Sequence, residues 1–289
     1  MGQLFFLVTT SHLKDRLLFR DESDFRVGMN LVAAACAKTG VVVLAFILMS
    51  NHTHFVLECT EEEAAGFINN FKHRYGRYFR NKYSFKEVLR KNAIDIKPVE
   101  SINESLERAI AYVQMNCVAA KICSHPSQYS WGSGNIFFSA SSPDGKSLAG
   151  MSFRAQFKIL HTGSKLPGKF LLSNSGYILP ESYVAKDFVE SLFRSPDRYN
   201  YFLHSSSKAK KRLEPKEGGI PAFRDQLILA AIPDLCMSLF DRRMLKDLSA
   251  EQTAEVIKQI QRRFVADPAQ ISRVTGIPHA QVSAFLDSF

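Results

Sequence analysis

Short apolar runs alternate with helical patterns along the first part of the chain. Residues 4–10 form an apolar, β-favouring run, which predicts a buried first strand. Apolar side chains then recur at helical spacing over residues 24–38, and Gly40 follows as a suitable helix end. Residues 40–48 and 52–58 predict two further strands, and the short polar break between them predicts an antiparallel hairpin.

Two stronger helical patterns follow the hairpin. Between residues 61 and 83, apolar and aromatic side chains recur at three- and four-residue steps, with basic side chains between them. Residues 101–122 carry a second apolar stripe, and a further strand is predicted around residues 93–96. This order of elements predicts an α+β fold, in which helices pack on one antiparallel sheet.

Turn-rich and basic segments divide the chain into predicted parts. Residues 139–147 are rich in Ser, Pro, Asp and Gly, which predicts the end of a first domain. A later Ser- and Lys-rich stretch predicts a polar linker, and the chain beyond it has a helical pattern to its end. The predicted boundaries are 1–140 for the first domain, 141–204 for an extension with a helix at 183–194, 205–221 for the linker and 222–289 for a helical domain.

Composition narrows the class of protein. Hydrophobic residues make up 46% and charged residues 22%, as in an ordinary folded chain. No apolar run is long enough to predict a membrane span, and no basic segment precedes the apolar N-terminus, so we expect a bacterial-type cytoplasmic protein without a membrane partner. The five cysteines form no C-x-x-C pair, which argues against a disulfide framework or a zinc knuckle. The net charge of +9 and a pI of about 9.3 favour a polyanionic partner such as nucleic acid.

A histidine pair is the first candidate for chemistry. His52 and His54 lie two positions apart on a predicted strand. Because side chains alternate between the faces of a strand, both imidazoles are expected on the same face. Two neutral imidazoles on one face suit a divalent metal ion.

A tyrosine and an asparagine supply the second candidate. Tyr112 and Asn116 are four residues apart on a predicted helix, so they share one helical face. The carboxamide oxygen of Asn116 could complete a metal site begun by two histidines. A phenol is a poor nucleophile unless its target is activated, and a metal ion bound to a phosphate oxygen provides such activation.

Three segments in this order carry a family resemblance. Residues 46–57, Phe-Ile-Leu-Met-Ser-Asn-His-Thr-His-Phe-Val-Leu, resemble the "MPNHxHLL" signature of single-tyrosine HUH transposases, and of the REP-associated tyrosine transposase branch in particular. Residues 112–118 resemble that branch's "YIxxNPV" helix, and residues 129–133 resemble its "YxWSS" segment. The sequence departs from the pattern at Ser50 and Cys117, where proline is usual.

The resemblance implies a ferredoxin-like core with the histidines on a central strand. It implies a divalent cation, Mg²⁺ or Mn²⁺, held by His52, His54 and Asn116. Tyr112 would attack a phosphate of single-stranded DNA and give a 5′-phosphotyrosine intermediate with a free 3′-OH. The implied partners are hairpin-forming DNA, which suggests association with the nucleoid, and a second copy of the chain in a homodimer.

Basic residues on the predicted helices are candidate DNA contacts. Arg74, Arg77 and Arg80 lie on the basic-aromatic helix, where guanidinium groups suit phosphates and aromatic rings suit splayed bases. Arg108 precedes Tyr112 by one helical turn and is a further candidate.

The C-terminal residues predict a helix-turn-helix. Asp267 and Pro268 suit a helix start, and Gly276 suits its end, before a second helix begins. In a DNA-binding helix-turn-helix, side chains near the start of the second helix contact bases. The candidate contacts are His279, Gln281 and Ser283.

Two alternatives to a DNA-cutting transposase remain open at this level. One is a non-catalytic, domesticated regulator that binds DNA by sequence or by hairpin shape. The joint presence of His52, His54, Tyr112 and Asn116 argues against it, because binding alone needs none of them. The other is a metallohydrolase with H-x-H on its first barrel strand, which predicts a repeated βα pattern that the sequence lacks.

Overall fold

A computed structural model describes residues 3–10, 16–84, 93–206 and 223–287. These residues form two compact units. One comprises the described residues of 1–11 and 22–213, and the other those of 12–21 and 214–289. None of the helices in the described residues is long and apolar enough to cross a membrane.

The first unit is built on a four-stranded antiparallel sheet with the strand order β2-β3-β1-β4. The strands are β1 (Phe5–Thr10), β2 (Val42–Met49), β3 (His52–Glu58) and β4 (Ile94–Val99). Helix α1 (Glu22–Thr39) follows β1, and α2 (Glu61–Tyr83) follows the β2–β3 hairpin. The α+β fold predicted from the sequence is confirmed, and β3 lies inside the sheet.

The two faces of the sheet are covered by different helices. On one face, the Phe55 ring of β3 packs edge-on against Phe67 and Phe71 of α2, with ring centroids 5.3 and 6.0 Å away. Because neighbouring strand residues point to opposite faces, His54 points to the other side. There it meets Tyr112, whose helix covers this second face.

The predicted helix over residues 101–122 is two helices. Helix α3 (Ser105–Gln114) ends at Met115, and the short α4 (Asn116–Ala119) follows. Asn103 and Glu104 have left-handed backbone angles, with φ of 54° and 61°, so the helix starts later than its apolar stripe indicates. At the other end, the side chain of Asn116 caps carbonyl groups of α3.

The extension after α4 packs on α1. It contains β5 (Gly145–Ser147), α5 (Phe153–Leu160), β6 (Leu171–Ser173), α6 (Lys186–Phe193) and α7 (Pro196–Ser205). Buried apolar side chains of this region, Leu160 among them, form a core with Ala33 and Ala34 of α1. The helix expected at 183–194 begins later, because a 3-10 turn at Pro180–Ser182 precedes it.

The second unit is helical. Its helices are α8 (Asp225–Phe240), α9 (Ala250–Phe264), α10 (Pro268–Thr275) and α11 (His279–Asp287). Leu17, from the segment before α1, belongs to the apolar core of this unit, which sequence patterns do not indicate. The Asp225 carboxylate binds Arg273 at 3.2 Å and accepts a hydrogen bond from Gln270, and so joins α8 to α10.

The helical C-terminal region is therefore confirmed as predicted. The basic linker expected at 205–221 lies almost entirely outside the described residues. The predicted domain boundaries stay predictions, although residues 141–204 form one compact unit with the sheet.

Candidate catalytic site

Both histidines of the H-x-H motif lie buried on one face of β3. Their rings meet edge to face, with centroids 4.8 Å apart. Nδ1 of His52 lies 2.8 Å from the side-chain oxygen of Asn51, and Nδ1 of His54 lies 2.9 Å from Thr9 Oγ1. A carboxamide oxygen only accepts, so the His52 Nδ1–H donates to it and the lone pair resides on Nε2. The Thr9 hydroxyl can accept as well as donate, so it permits the same tautomer in His54, in which the buried Nε2 atoms of both rings carry the lone pairs.

Asn116 is held in place by the end of α3. Its side-chain Nδ2 donates to the carbonyl oxygens of Tyr112 and Val113, both at 3.0 Å. Both carbonyls lie in the last turn of α3, so the side chain serves as a C-cap. With the nitrogen used in this way, the carboxamide contributes Oδ1 as its acceptor atom. The departure at Cys117 does not remove this cap, and the Cys117 thiol donates to the carbonyl of Gln114 at 3.3 Å.

Tyr112 lies against the histidine pair. Its ring is perpendicular to that of His54, with centroids 5.7 Å apart. Burial raises the pKa of the Tyr112 hydroxyl, the charge of Lys97 acts to lower it, and that of Asp95 acts to raise it. The structure therefore brings together His52, His54 and Tyr112, and it places Asn116 one turn after the tyrosine.

Two charged residues of β4 belong to the same face and were missed by the sequence analysis. Asp95 pairs with Thr9 across the sheet, and Thr9 pairs with His54. Residues opposite each other on neighbouring strands share a face, so Asp95 lies on the His54 side, and so does Lys97 two positions later. The Lys97 ammonium lies 2.6 Å from the Asp95 carboxylate. The two-residue alternation of charge in β4 is the signal that could have identified them.

The segment around Trp131 fastens α3 to the outer edge of β2. The backbone of Leu48 donates to Trp131 O at 2.8 Å, and the backbone of Ser133 donates to Phe46 O at 3.0 Å. The buried hydroxyl of Ser133 accepts a hydrogen bond from Gln114 Nε2 at 2.8 Å. This network explains why a segment distant in sequence accompanies the tyrosine helix: it fixes α3, and with it Tyr112, relative to the sheet.

Gly132 is required for this docking. A Cβ atom there would lie 2.8 Å from the carbonyl oxygen of Phe46, a backbone atom that cannot move aside. We expect Gly132→Ala to lower the free energy of unfolding by about 2 kcal/mol. The fluorescence of Trp131, the single tryptophan, during urea unfolding measures this directly.

Gly66→Ala is the matched control for Gly132→Ala. Gly66 lies in α2, and a Cβ atom there meets nothing within 4 Å. Alanine is the better helix former, so this variant should gain about 0.5–1 kcal/mol. Equal stability of the two variants would contradict the close-approach explanation.

The predicted DNA contacts of α2 lie on the layer opposite Tyr112. Arg77 and Arg80 are exposed, whereas Arg74 is half-buried and donates to Ser164 Oγ at 2.9 Å. Arg108 pairs with Glu104 at 3.2 Å, and its guanidinium lies 5.6 Å from the ring centroid of Phe202 in α7. The structure therefore does not gather these four arginines around the tyrosine.

The C-terminal candidates lie on α11. His279 and Gln281 are exposed, and Ser283 is half-buried. The helix ends that suggested the motif occur as expected: Asp267 accepts from Gln270 N at 2.7 Å, and Gly276 has a left-handed φ of 76°. Binding of DNA by this pair of helices stays a prediction.

Comparison with known proteins agrees with the motifs. Residues 8–94 match the family model described as transposase IS200 like. Among solved structures the chain is similar to a REP-associated tyrosine transposase bound to a REP hairpin, with 9% identity and a TM-score of 0.36, over 46% of this chain and 78% of that one. No curated protein matches the chain.

The resemblance predicted from the motifs is confirmed over residues 8–94, which match this family model and include both histidines. The match supports a transposase-type role in DNA processing. Tyr112 and Asn116 lie beyond the matched residues, so their roles rest on the geometry above. Within the described part of the chain, no group of three or more His, Cys, Asp or Glu side chains could hold a metal ion.

Proposed function

We propose that the protein cleaves and rejoins single-stranded DNA by attack of Tyr112 on a phosphodiester. The observation that carries the proposal is the position of the tyrosine ring, 5.7 Å from His54 and perpendicular to it, on the one sheet face that also carries His52.

The proposed reaction balances as a transesterification. The Tyr112 oxygen loses its proton and forms a bond to phosphorus, while the bond from phosphorus to the 3′ oxygen of the neighbouring nucleotide breaks. That oxygen takes up a proton and leaves as a free 3′-OH, and the 5′ side stays linked to the protein as a phosphotyrosine diester. Attack of a 3′-OH on this diester reverses the step and rejoins DNA without an external energy source.

The residues of the site fit a divalent cation. His52 Nε2, His54 Nε2 and Asn116 Oδ1 would hold it, because the other polar atoms of these side chains are used by Asn51, Thr9 and the end of α3. The carboxamide oxygen is a ligand that suits Mn²⁺ or Mg²⁺, whereas imidazole nitrogen is more typical of Zn²⁺, Fe²⁺ or Ni²⁺. When bound, the cation would place positive charge beside the phosphate and so favour attack by an anionic oxygen.

The remaining residues of the face position these groups. Thr9 and Asn51 orient the imidazoles, and ligand basicity and ring orientation depend on such hydrogen bonds. Burial raises the pKa of the Tyr112 hydroxyl, and a phenol is a weak nucleophile until its target is activated.

Adduct formation is the direct test of the proposed function. The full-length protein is incubated with a labelled hairpin that carries a single-stranded tail and with Mn²⁺, and covalent products are separated under denaturing conditions and mapped by mass spectrometry. We expect a nucleotide adduct on Tyr112. Tight hairpin binding without any adduct would overturn the enzymatic proposal and favour a non-catalytic DNA-binding regulator.

A further inference from the structure

Helix α5 exposes two phenylalanine rings. Phe153 and Phe157 are four residues apart, with exposed fractions of 48% and 52% and ring centroids 6.5 Å apart. The helix is anchored by neighbouring positions, because Leu160 belongs to the core shared with α1 and Gln156 accepts a hydrogen bond from Leu166 N at 3.1 Å. The rings are therefore not needed to hold the helix in place.

The stretch of sequence that contains these rings is basic. Residues 145–180 contain no Asp or Glu, and their five Lys and Arg side chains are all exposed. These five are Lys146, Arg154, Lys158, Lys165 and Lys169. Arg154 and Lys158 each follow one of the exposed rings directly.

The same region is joined to α2. Arg74 donates to Ser164 Oγ at 2.9 Å, and the ring of His161 lies 6.3 Å from that of Tyr78. The exposed Arg77 lies one turn from Arg74. Helix α2 is thus in contact with the residues that directly follow α5.

We propose that Phe153, Arg154, Phe157 and Lys158, termed the α5 surface, bind single-stranded DNA that flanks the cleaved site. Exposed rings stack on bases of any sequence, and adjacent cations bind the phosphates, which is the usual combination in proteins that hold single strands. A second copy of the chain fits less well, since a symmetric contact through this surface would bring two basic patches together. The identity of the partner rests on the proposed function.

The α5 surface is expected to affect DNA affinity and not the rate of the chemical step, because of where it lies. Because α5 packs on α1 and Tyr112 lies on the other face of the sheet, this surface cannot contact the reacting phosphate. It contributes to the affinity for DNA with a single-stranded flank, and it leaves the rate of the chemical step unchanged.

Fluorescence anisotropy with labelled (dT)20 and full-length protein in EDTA tests the proposal. Phe153→Ala/Phe157→Ala should weaken binding about tenfold or more, since each lost stacking contact has an effect of this order. Arg154→Gln/Lys158→Gln should lower the slope of log affinity against log salt by about 1.4, at about 0.7 for each phosphate contact. Tyr201→Ala, which removes an exposed ring from α7, is the matched control and should bind as wild type.

Separate outcomes address the surface and the proposed catalysis. The proposal that the α5 surface binds single-stranded DNA would be overturned by either of two results. One is unchanged (dT)20 binding by both α5 variants, and the other is no (dT)20 binding by wild type. A change of oligomeric state in Phe153→Ala/Phe157→Ala, with unchanged DNA binding, would identify it as a protein interface instead. Weakened binding by these variants in a protein that forms no adduct with Mn²⁺ would support the surface and reject the catalytic proposal alone.

Discussion

Replacement of Tyr112 by Phe is expected to abolish the covalent adduct and DNA cleavage, with a fall of at least about a thousandfold. The substitution deletes the one oxygen that forms the bond to phosphorus. It keeps the ring, and with it the perpendicular contact with His54 at 5.7 Å. Because the deleted hydroxyl is only half-buried, the free energy of unfolding should change little.

Binding separates this prediction from a folding defect. Tyr112→Phe should bind the hairpin with wild-type affinity in EDTA, and its Trp131 fluorescence on urea unfolding should match wild type. Tyr201→Phe is the matched control, since Tyr201 is exposed on α7, and it should form the adduct normally. An undiminished adduct in Tyr112→Phe would assign the nucleophile to another residue.

The parts of the site that the sequence predicted are those that depend on local periodicity. His52 and His54 share a face because they are two positions apart on a strand, and a helix over residues 61–83 follows from its apolar stripe. Thr60 accepts from Glu63 N at 3.2 Å, and Glu63 accepts from Thr60 N, which completes the capping box that starts this helix.

The parts that escaped prediction depend on contacts between distant residues. The apolar stripe of 101–122 continues through Met115, but the hydrogen bonds from Asn116 to the end of α3 interrupt the helix there. Asp95 joins the site through Thr9, and that pairing requires the register of three strands. No single-sequence pattern specifies which strands become neighbours, so Asp95 and Lys97 could not be assigned to the site in advance.

The exposed phenylalanine pair on α5 also depends on contacts that a sequence pattern does not specify. Phe153 and Phe157 have the spacing of a buried helical stripe, and the usual interpretation would place them in the core. Leu160, three residues after Phe157 on the same stripe, is buried in a core with Ala33 and Ala34 of α1, whereas both rings stay exposed. How much of a helical stripe is buried is decided by the helix it meets.

Removal of either imidazole is expected to abolish the metal dependence of DNA cleavage. His54→Ala and His52→Ala each delete one of the two nitrogen ligands proposed for the cation, and we expect adduct formation with Mn²⁺ to fall at least about a hundredfold. Hairpin affinity in EDTA should stay close to wild type, because both rings are buried and so have little surface for DNA to contact. His204→Ala, which removes an exposed imidazole from α7, is the control and should behave as wild type.

Mn²⁺ binding measured by electron paramagnetic resonance provides a readout independent of activity. Wild type should bind Mn²⁺, and His54→Ala should not at the same concentration.

Thr9→Val removes only the hydroxyl that orients His54, so it should weaken Mn²⁺ binding about tenfold or more while the imidazole remains. Because alanine at a buried position also leaves a cavity, His54→Gln is compared for folding by Trp131 fluorescence. If folded His54 variants bound Mn²⁺ as wild type does, the ion would be held elsewhere. That result would also reject the proposed roles of His52 and Asn116 as metal ligands.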